Sequence, residues 1–239
     1  MIFNNFLGLT ATDADPKMAK AYILPIPYER TTSYLKGTAN APKAILEASK
    51  ELETFDIATP CQDPYLASNG IYTCPPLKIS QPSFVEFCDY LQHYLTEILA
   101  QQKFPILLGG EHTLSYGAFL SCRTLYPDCS FLHLDAHTDL RDIYEGTAYS
   151  HACVLRRICE LKPRPPIVAC GVRSLPREDY VYIIEEDLKV FFYEKTGLPT
   201  LGQILENLSY NVYISIDLDC LDPAIMPAVG TPEPHGLSW

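Results

Sequence analysis

The amino-acid sequence predicts an α/β fold, a three-layer sandwich in which helices cover both faces of a central parallel sheet. Three observations lead to this class. Apolar, β-favouring runs recur along the chain, stretches with apolar residues at helical spacing lie between most of them, and the runs are apolar at consecutive positions. Strands that alternate with helices and are buried on both faces are typical of parallel sheets.

Six runs are predicted to be strands, at residues 21–26, 105–108, 130–134, 167–171, 190–193 and 212–216. Four stretches are predicted to be helices, at residues 41–52, 83–102, 113–126 and 150–161. Residues 59–81 contain four prolines and little periodicity, which predicts a long surface excursion. We expect a single domain over residues 1–239.

The composition argues against several classes of protein. A net charge of −11 opposes binding to nucleic acid, because phosphates are neutralised by clustered Lys and Arg. No apolar stretch approaches the roughly 20 residues that a helix needs to cross a bilayer, so no membrane association is expected. The N-terminal segment lacks the features of a secretory signal, which indicates a cytoplasmic protein. The nine cysteines form no CxxC pairs and are interpreted as reduced, packed thiols.

Three polar side chains follow the predicted strand at residues 130–134. Asp135, His137 and Asp139 occupy alternate positions, and alternate side chains of an extended backbone point to the same side. They can therefore converge on one point. The alternative is an acidic loop in which Asp139 caps a turn and His137 is solvated, but the regular spacing beside a strand end favours a ligand set.

Two further groups follow other predicted strands. Asp217 and Asp219 lie on one side of the chain after residues 212–216, and such close carboxylates need a counter-charge because each raises the pKa of the other. His112 follows two glycines that allow a sharp turn of the backbone. A lone histidine at a helix start is more often a polar filler, so the assignment of His112 depends on the other two groups.

Together these groups provide six candidate metal ligands at the C-terminal ends of predicted parallel strands, where open α/β sheets bind their ligands. Carboxylates and imidazoles without thiolate favour manganese over a structural zinc, with iron, cobalt and nickel as alternatives. Six ligands exceed what one structural ion takes, whereas two ions that share bridging carboxylates would use them all. The candidates are His112, Asp135, His137, Asp139, Asp217 and Asp219.

These motifs resemble those of the ureohydrolases, the family that contains agmatinase, arginase, guanidinobutyrase and formimidoylglutamase. The resemblance runs from residue 26 to the end of the chain. It rests on Gly-Gly-Glu-His at 109–112, Asp-Ala-His-Thr-Asp at 135–139 and Ser-Ile-Asp-Leu-Asp-Cys-Leu-Asp-Pro at 215–223. The loop at 149–157 is most similar to the agmatinase branch. An arginase-like fold is the expectation that follows.

The resemblance implies a binuclear site with two Mn²⁺ ions per subunit. The implied ligands are His112 and Asp139 for one ion, His137 and Asp219 for the other, and Asp135 and Asp217 as bridges between them. The resemblance also implies that family members assemble as trimers or hexamers, so a homo-oligomer is expected.

The resemblance implies a reaction in which water activated by the ions attacks the guanidinium carbon of a small cationic guanidine. His151 would be the mobile acid/base that delivers a proton to the departing amine, and the products would be urea and an amine. The alternative interpretation of His151 is a helix-starting residue beside the N-cap Ser150. Agmatine is the expected substrate, because the loop at 149–157 resembles agmatinases and a dication suits an acidic protein. Arginine and guanidinobutyrate are alternatives.

The chain departs from the family pattern near its end. Members continue for some tens of residues beyond the match at 230–234, with a helix and a strand that carry a glutamate expected to contact the guanidinium group. This chain stops at Trp239, so the fold is expected to lack its C-terminal part, and Glu233 is interpreted as a loop residue. Two alternative functions follow: a truncated family member that binds metal but is catalytically impaired, and a metal-dependent amidohydrolase acting on a neutral amide.

Overall fold

The computed structural model describes residues 5–10, 12–53, 70–193 and 198–238. The chain divides into two compact units, which we describe separately. The first comprises Met1–Glu29 and Gly37–Gly110, and the second comprises Arg30–Lys36 and Glu111–Trp239. No helix within the described ranges is both long enough and apolar enough to cross a membrane.

The first unit is built on a parallel three-stranded sheet. Its strands are β1 (Ala21–Ile26), β2 (Ile71–Thr73) and β3 (Phe104–Gly109). The strand order is β2-β1-β3, and both neighbours of β1 run parallel to it. Five of the six residues of β1 are buried because it is the central strand, which explains its continuous apolar sequence. The unit also contains the helices α1 (Ala41–Ala48) and α2 (Phe84–Ala100).

Helix α2 has a clear start in the sequence and a continuous apolar face. The Ser83 hydroxyl accepts a hydrogen bond from the Glu86 N–H, and the Glu86 carboxylate accepts one from the Ser83 N–H, which forms a capping box. Apolar residues at helical spacing are buried along the helix. Among them, Phe87 stacks on Tyr28 with ring centroids 4.3 Å apart. This contact anchors the chain just after β1.

The second unit is built on a parallel four-stranded sheet. Its strands are β4 (Ser130–Leu134), β5 (Ile167–Val172), β6 (Lys189–Phe192) and β7 (Val212–Ile216). Its helices are α3 (Leu114–Leu125), α4 (Val154–Cys159), α5 (Arg177–Glu185) and α6 (Leu201–Leu205). The strand order is β6-β5-β4-β7, and all three pairs are parallel.

Apolar side chains cover both faces of this sheet. Along β5, Ile167 and Ala169 belong to a core that includes residues of α3, α4 and α5, whereas Val168 and Cys170 belong to a second cluster with Ile204 of α6. Because alternate residues of a strand point to opposite faces, both sets must be apolar. The unbroken apolar sequence of β5 therefore follows from its position inside the sheet.

The α/β class with parallel sheets is confirmed, and the long predicted helices and the six predicted strands are present within one or two residues at most ends. The differences concern short elements. Strand β2 lies in the predicted surface excursion at 59–81, the earlier part of which falls outside the described residues. Three residues between a glycine and a cysteine are too few to show a strand period.

Two helices were not predicted, and two predicted helices have a different form. Helix α5 has charged residues in its first turn and then consecutive apolar residues at 180–184 instead of apolar residues at helical spacing, and α6 is only five residues long. The predicted helix at 41–52 consists of α1, which ends at Ala48, and the 3₁₀ turn Ser49–Glu51 that follows it. The predicted helix at 150–161 begins as the 3₁₀ turn His151–Cys153 before α4. The expectation of a single domain stays a prediction.

Candidate metal centre

Two aspartates stand side by side at the C-terminal ends of adjacent strands in the second unit. Leu134, the last residue of β4, pairs with Ile216, the last residue of β7. Asp135 and Asp217 come next on the two strands, and the Asp217 N–H donates to the Leu134 carbonyl at 2.9 Å. The alignment of the strands therefore brings both carboxylates to the same edge of the sheet.

His112 joins these carboxylates to a third. Its Nδ1 atom lies 3.1 Å from Asp135 Oδ2, 2.9 Å from Asp139 Oδ2 and 3.5 Å from Asp217 Oδ2. Its other ring nitrogen, Nε2, is 2.8 Å from the hydroxyl of the buried Ser215 on β7. This contact fixes the ring so that Nδ1 faces the three carboxylates, as neighbouring groups commonly do for metal-binding histidines.

His137 and Asp219 form a second group around the same aspartate. His137 Nδ1 lies 3.1 Å from Asp219 Oδ2 and 3.5 Å from Asp135 Oδ1. Asp135 thus presents one oxygen to His112 and the other to His137. The structure brings all six predicted ligands together around two adjacent points, with Asp135 shared between them.

The nitrogen and oxygen atoms of this cluster are arranged to coordinate a cation and not to hydrogen-bond with one another. His112 Nδ1 and Asp135 Oδ2 are buried and make no hydrogen bond, although only 3.1 Å separates them. Buried polar atoms without partners are rare in proteins and point to an absent ion or water. The groups Asp135, His137 and Asp219 also offer ligand atoms within 4.8 Å of one another, as a metal site requires. The donor set therefore fits divalent metal ions.

The protonation of the aspartates leads to the same conclusion. Removal from water and the negative charges of Asp135 and Asp219 raise the pKa of Asp217 to about 8. Burial and the charge of Asp135 raise the pKa of Asp219 to about 6. Burial lowers the pKa of His137, but its contacts with Asp135 and Asp219 outweigh this and raise it to about 11. The carboxylates are thus short of positive charge, which a divalent cation would supply.

The backbone around the site has two constrained positions. A Cβ atom at Gly110 would lie 2.0 Å from the carbonyl oxygen of Tyr28, so only glycine fits two residues before His112. Asp139 has a φ of 50°, a left-handed conformation that aspartate adopts more readily than most residues. These positions fix the direction in which the chain leaves β3 and turns after Asp139.

Sequence reasoning missed His133 as a member of this cluster. Its side chain is fully buried, stacks on His112 with centroids 5.2 Å apart, and places Nε2 3.4 Å from Asp135 Oδ2. Burial lowers the pKa of His133, which favours a neutral imidazole. The alternation of residues 133, 135, 137 and 139 was the available sequence signal, because His133 lies on the same side of the extended chain.

Two other residues near the cluster were not predicted as part of it. Glu233, interpreted from the sequence as a loop residue, places Oε1 3.4 Å from His137 Nε2. The guanidinium group of Arg173 donates to six backbone carbonyl oxygens, at Gly171, Asp219, Cys220, Leu221, Glu233 and Pro234. Arg173 thereby holds the Asp219 and Glu233 loops together. No sequence pattern predicts such contacts, because they join segments that are far apart in the chain.

His151 lies in the same unit and is held by hydroxyl groups. Its Nδ1 atom is 3.2 Å from Thr31 Oγ1 and 3.3 Å from Ser150 Oγ, and its backbone N–H donates to Thr31 Oγ1 at 3.0 Å. Tyr144 packs edge-on against the ring. Ser150 is also the N-cap of the 3₁₀ turn that His151 begins, so its position as a helix-starting residue and its availability as an acid/base are compatible.

Comparison with known proteins adds three findings. Residues 19–239 match the sequence profile of the arginase family. The chain is 36% identical over 236 residues to the N(1)-aminopropylagmatine ureohydrolase of Synechocystis sp., covering 92% of this chain and 74% of that protein. It is 34% identical over 221 residues to the agmatinase of Halalkalibacterium halodurans, covering 92% of this chain and 75% of that protein. The chain thus spans about three quarters of the length of these relatives.

Solved structures agree with the sequence matches. The crystal structure of the agmatine ureohydrolase of Thermoplasma volcanium superposes with a TM-score of 0.84 and 32% sequence identity, covering 99% of this chain and 79% of that one. A putative agmatinase from Clostridium difficile superposes with a TM-score of 0.82 and 29% identity, covering 93% of this chain and 79% of that one.

Proposed function

Since the chain belongs to the arginase family, we propose that it is a hydrolase that splits a small cationic guanidine into urea and an amine with the help of two Mn²⁺ ions. One observation carries the proposal: two histidines and four aspartates converge around Asp135, and buried atoms among them have no hydrogen-bond partner. A protein that had lost its metal would have no physical reason to keep this uncompensated group of charges.

The ligands divide by their contacts. The contacts support His112 and Asp139 as ligands of one ion, His137 and Asp219 as ligands of the other, and Asp135 as a ligand of both. The Asp217 carboxylate lies 3.5 Å from His112 Nδ1, and its proposed role as the second shared ligand rests on the family resemblance. Divalent ions bound there would lower the pKa of a water molecule to roughly 7 and offset negative charge that develops during attack. Ser215 and Glu233 would orient the two histidines through their second nitrogens.

His151 is the proposed proton carrier. It lies outside the ligand cluster, and the contacts of its Nδ1 atom are hydroxyl groups rather than carboxylates. An imidazole that is not bound to metal can take up and release a proton near neutral pH, as delivery to a departing amine requires.

Agmatine is the proposed substrate, and N1-aminopropylagmatine is a second candidate. Curated relatives with these two names match the chain at 34% and 36% identity, so identity does not separate them. Both compounds carry a guanidinium group and at least one further cation, which suits a chain with a net charge of −11. Arginine and guanidinobutyrate carry a carboxylate at the distal end and fit this charge less well.

A guanidine panel tests the proposal. The full chain, loaded with Mn²⁺, is incubated with agmatine, N1-aminopropylagmatine, arginine and guanidinobutyrate, and released urea is measured. Urea from one of the first two compounds is expected. Urea from arginine or guanidinobutyrate alone would refute agmatine and N1-aminopropylagmatine as the substrates, and no urea from any guanidine would favour an impaired metal-binding protein. Ammonia release from neutral amides in the same preparation would instead indicate an amidohydrolase.

Replacing the shared aspartate tests the site itself. Asp135→Ala removes the carboxylate that both halves of the cluster contact, so urea release is expected to fall to background and the bound metal, measured by mass spectrometry, to fall below two ions per chain. The matched control is Asp128→Ala, because Asp128 is an exposed aspartate just before the other end of β4. Turnover that survives Asp135→Ala would contradict the proposed site.

A further inference from the structure

Within the second unit, the buried carboxylate of Glu111 contacts the hydroxyl of Thr31, which in turn contacts the ring of His151. Glu111 is 4% exposed and accepts four hydrogen bonds. The backbone N–H groups of Arg30 and Thr31 donate to Oε2 at 2.6 and 2.7 Å, and the hydroxyls of Thr31 and Thr113 donate to Oε1, both at 2.8 Å. Both oxygens of this carboxylate thus act as acceptors in its short contacts.

This arrangement fixes the direction of the Thr31 hydroxyl. A hydroxyl has one hydrogen and two lone pairs, and the hydrogen of Thr31 points to Glu111. The backbone N–H of His151 donates to one lone pair at 3.0 Å. Thr113 Oγ1 lies 3.4 Å from Thr31 Oγ1, but its hydrogen is directed to Glu111 Oε1. The second lone pair of Thr31 is therefore left for His151 Nδ1, which lies 3.2 Å away. A favourable contact there requires a hydrogen on Nδ1.

Within the described part of the chain, Ser150 is the other hydroxyl in contact with His151 Nδ1. Its Oγ atom lies 3.3 Å from His151 Nδ1 and accepts from the Ala152 N–H at 3.4 Å. If Ser150 donated to an unprotonated Nδ1, the lone pairs of Nδ1 and Thr31 Oγ1 would face each other at 3.2 Å. The orientation that avoids this repulsion has Nδ1–H as the donor and both hydroxyl oxygens as acceptors.

We propose that Thr31, oriented by Glu111, is a positioning residue that holds neutral His151 with its hydrogen on Nδ1 and leaves Nε2 as the nitrogen that exchanges protons. The proposal rests on the proposed function of His151 as the proton carrier. In that cycle Nε2 takes up one proton from solvent water, Nδ1–H stays bound to Thr31 in the imidazolium, and Nε2 releases the proton to the departing amine. The ring then returns to the same tautomer.

The tautomer can be observed without turnover. Long-range ¹H–¹⁵N correlation spectra are recorded on the full chain labelled with ¹⁵N-histidine, with diamagnetic Mg²⁺ replacing Mn²⁺, at about pH 8.5 where an ordinary imidazole is neutral. The signals of His151 are identified by their loss in His151→Asn. The Nδ1–H pattern is expected in the unmodified protein and in Thr31→Ser, and a mixed or Nε2–H pattern in Thr31→Val. An Nε2–H pattern in the unmodified protein would overturn the proposal.

Two matched variants separate Thr31 from its neighbours. Thr113→Val removes the other hydroxyl that donates to Glu111 Oε1 but has no contact with His151 among those described, so the Nδ1–H pattern is expected to remain. Ser150→Ala removes the competing hydroxyl and is also expected to leave the pattern unchanged. If either variant changes the tautomer as much as Thr31→Val does, Thr31 is not the determinant.

Kinetics provide the second measurement. Thr31→Val is expected to lower kcat about 10- to 100-fold with little change in KM and in bound metal, since a positioned acid/base contributes roughly 10²–10⁴-fold. Thr31→Ser restores the hydroxyl and should recover most of the rate. Unchanged kcat in Thr31→Val would refute the positioning role. Absence of urea from the unmodified protein would instead refute the proposed function, while the spectra still decide the tautomer.

Discussion

At the scale of single residues, the arrangement of the site follows from strand geometry. Asp135, His137 and Asp139 were predicted to converge because alternate residues share one side of an extended chain, and their contacts with His112 and Asp219 lie between 2.9 and 3.1 Å. The same rule places His133, two residues before Asp135, on the same side of the extended chain. The roles of these residues stay proposals.

Contacts that join distant parts of the chain could not be predicted from the sequence. Thr31 reaches Glu111 across 80 positions and His151 across 120, and Arg173 reaches Glu233 across 60. Such contacts depend on where the strands and loops end in space. A single sequence has no local period or spacing that encodes them.

Arg173 is predicted to be important for stability. Arg173→Lys keeps the positive charge but cannot satisfy six carbonyl oxygens in several directions, so the free energy of unfolding should fall by about 2–3 kcal/mol. Denaturant unfolding of the metal-free protein, followed by circular dichroism, measures the change.

The control for this prediction is Arg123→Lys. Arg123 also donates to backbone carbonyls, those of Pro127 and Pro163, and is half-buried as Arg173 is, but it lies outside the candidate metal centre. Its replacement should lower the free energy of unfolding by less than about 0.5 kcal/mol. Equal effects of the two substitutions would show that the loop contacts of Arg173 add nothing to stability.

At the scale of secondary-structure elements, length decides what the sequence predicts. Helix α2 has a capping box and seventeen residues with a continuous apolar face, so its pattern is unambiguous. Strand β2 has three residues and helix α6 has five, fewer than two full periods of either structure. Tertiary packing, rather than local pattern, determines the structure of such short segments.

Helix α2 provides a test of this packing. Phe87 is fully buried and stacks on Tyr28, so Phe87→Ala should lower the free energy of unfolding by about 3–5 kcal/mol. Val85→Ala on the same helix is the control, because Val85 is 50% exposed and its loss should cost less than about 1 kcal/mol. Thermal unfolding of both variants measures the difference. A loss below about 1 kcal/mol for Phe87→Ala would show that the helix does not anchor β1.

At the scale of the whole molecule, the class of fold was predictable but the order of strands was not. Alternation of apolar strands and helices predicts parallel sheets, because only these bury strands on both faces. The order β6-β5-β4-β7 depends on which distant segments pair. The division into two compact units was not predicted either.

The cysteines allow a prediction for the whole chain. The eight described cysteines are free thiols, and burial raises the pKa of Cys88 and Cys159 to about 12 and that of Cys170 to about 11. Since the thiolate is the reactive form, a raised pKa leaves less of it at pH 8. Alkylation in the native protein should therefore be slower than in the unfolded chain by more than about 100-fold.

Iodoacetamide labelling followed by peptide mass spectrometry measures these rates. The same protein in denaturant is the control, since its thiols regain an ordinary pKa near 8.5. Raising the pH from 7 to 9 should accelerate labelling of native Cys88 and Cys159 about 100-fold, tenfold per pH unit, but labelling of the unfolded chain only about 25-fold, because its thiols approach full ionisation. Rapid native labelling of either cysteine would show that its surroundings open to solvent.

The contacts of Arg173 also bear on the order of folding. The carbonyl groups that it binds near residues 219–221 and 233–234 lie 46 to 61 positions further along the chain, so these contacts close long loops. They are expected to form after β4, β5 and β7 have paired, late on the pathway and after the rate-limiting barrier. A ligand bound beside Asp219 would then leave the refolding rate almost unchanged and slow unfolding instead, which lengthens the lifetime of the native state.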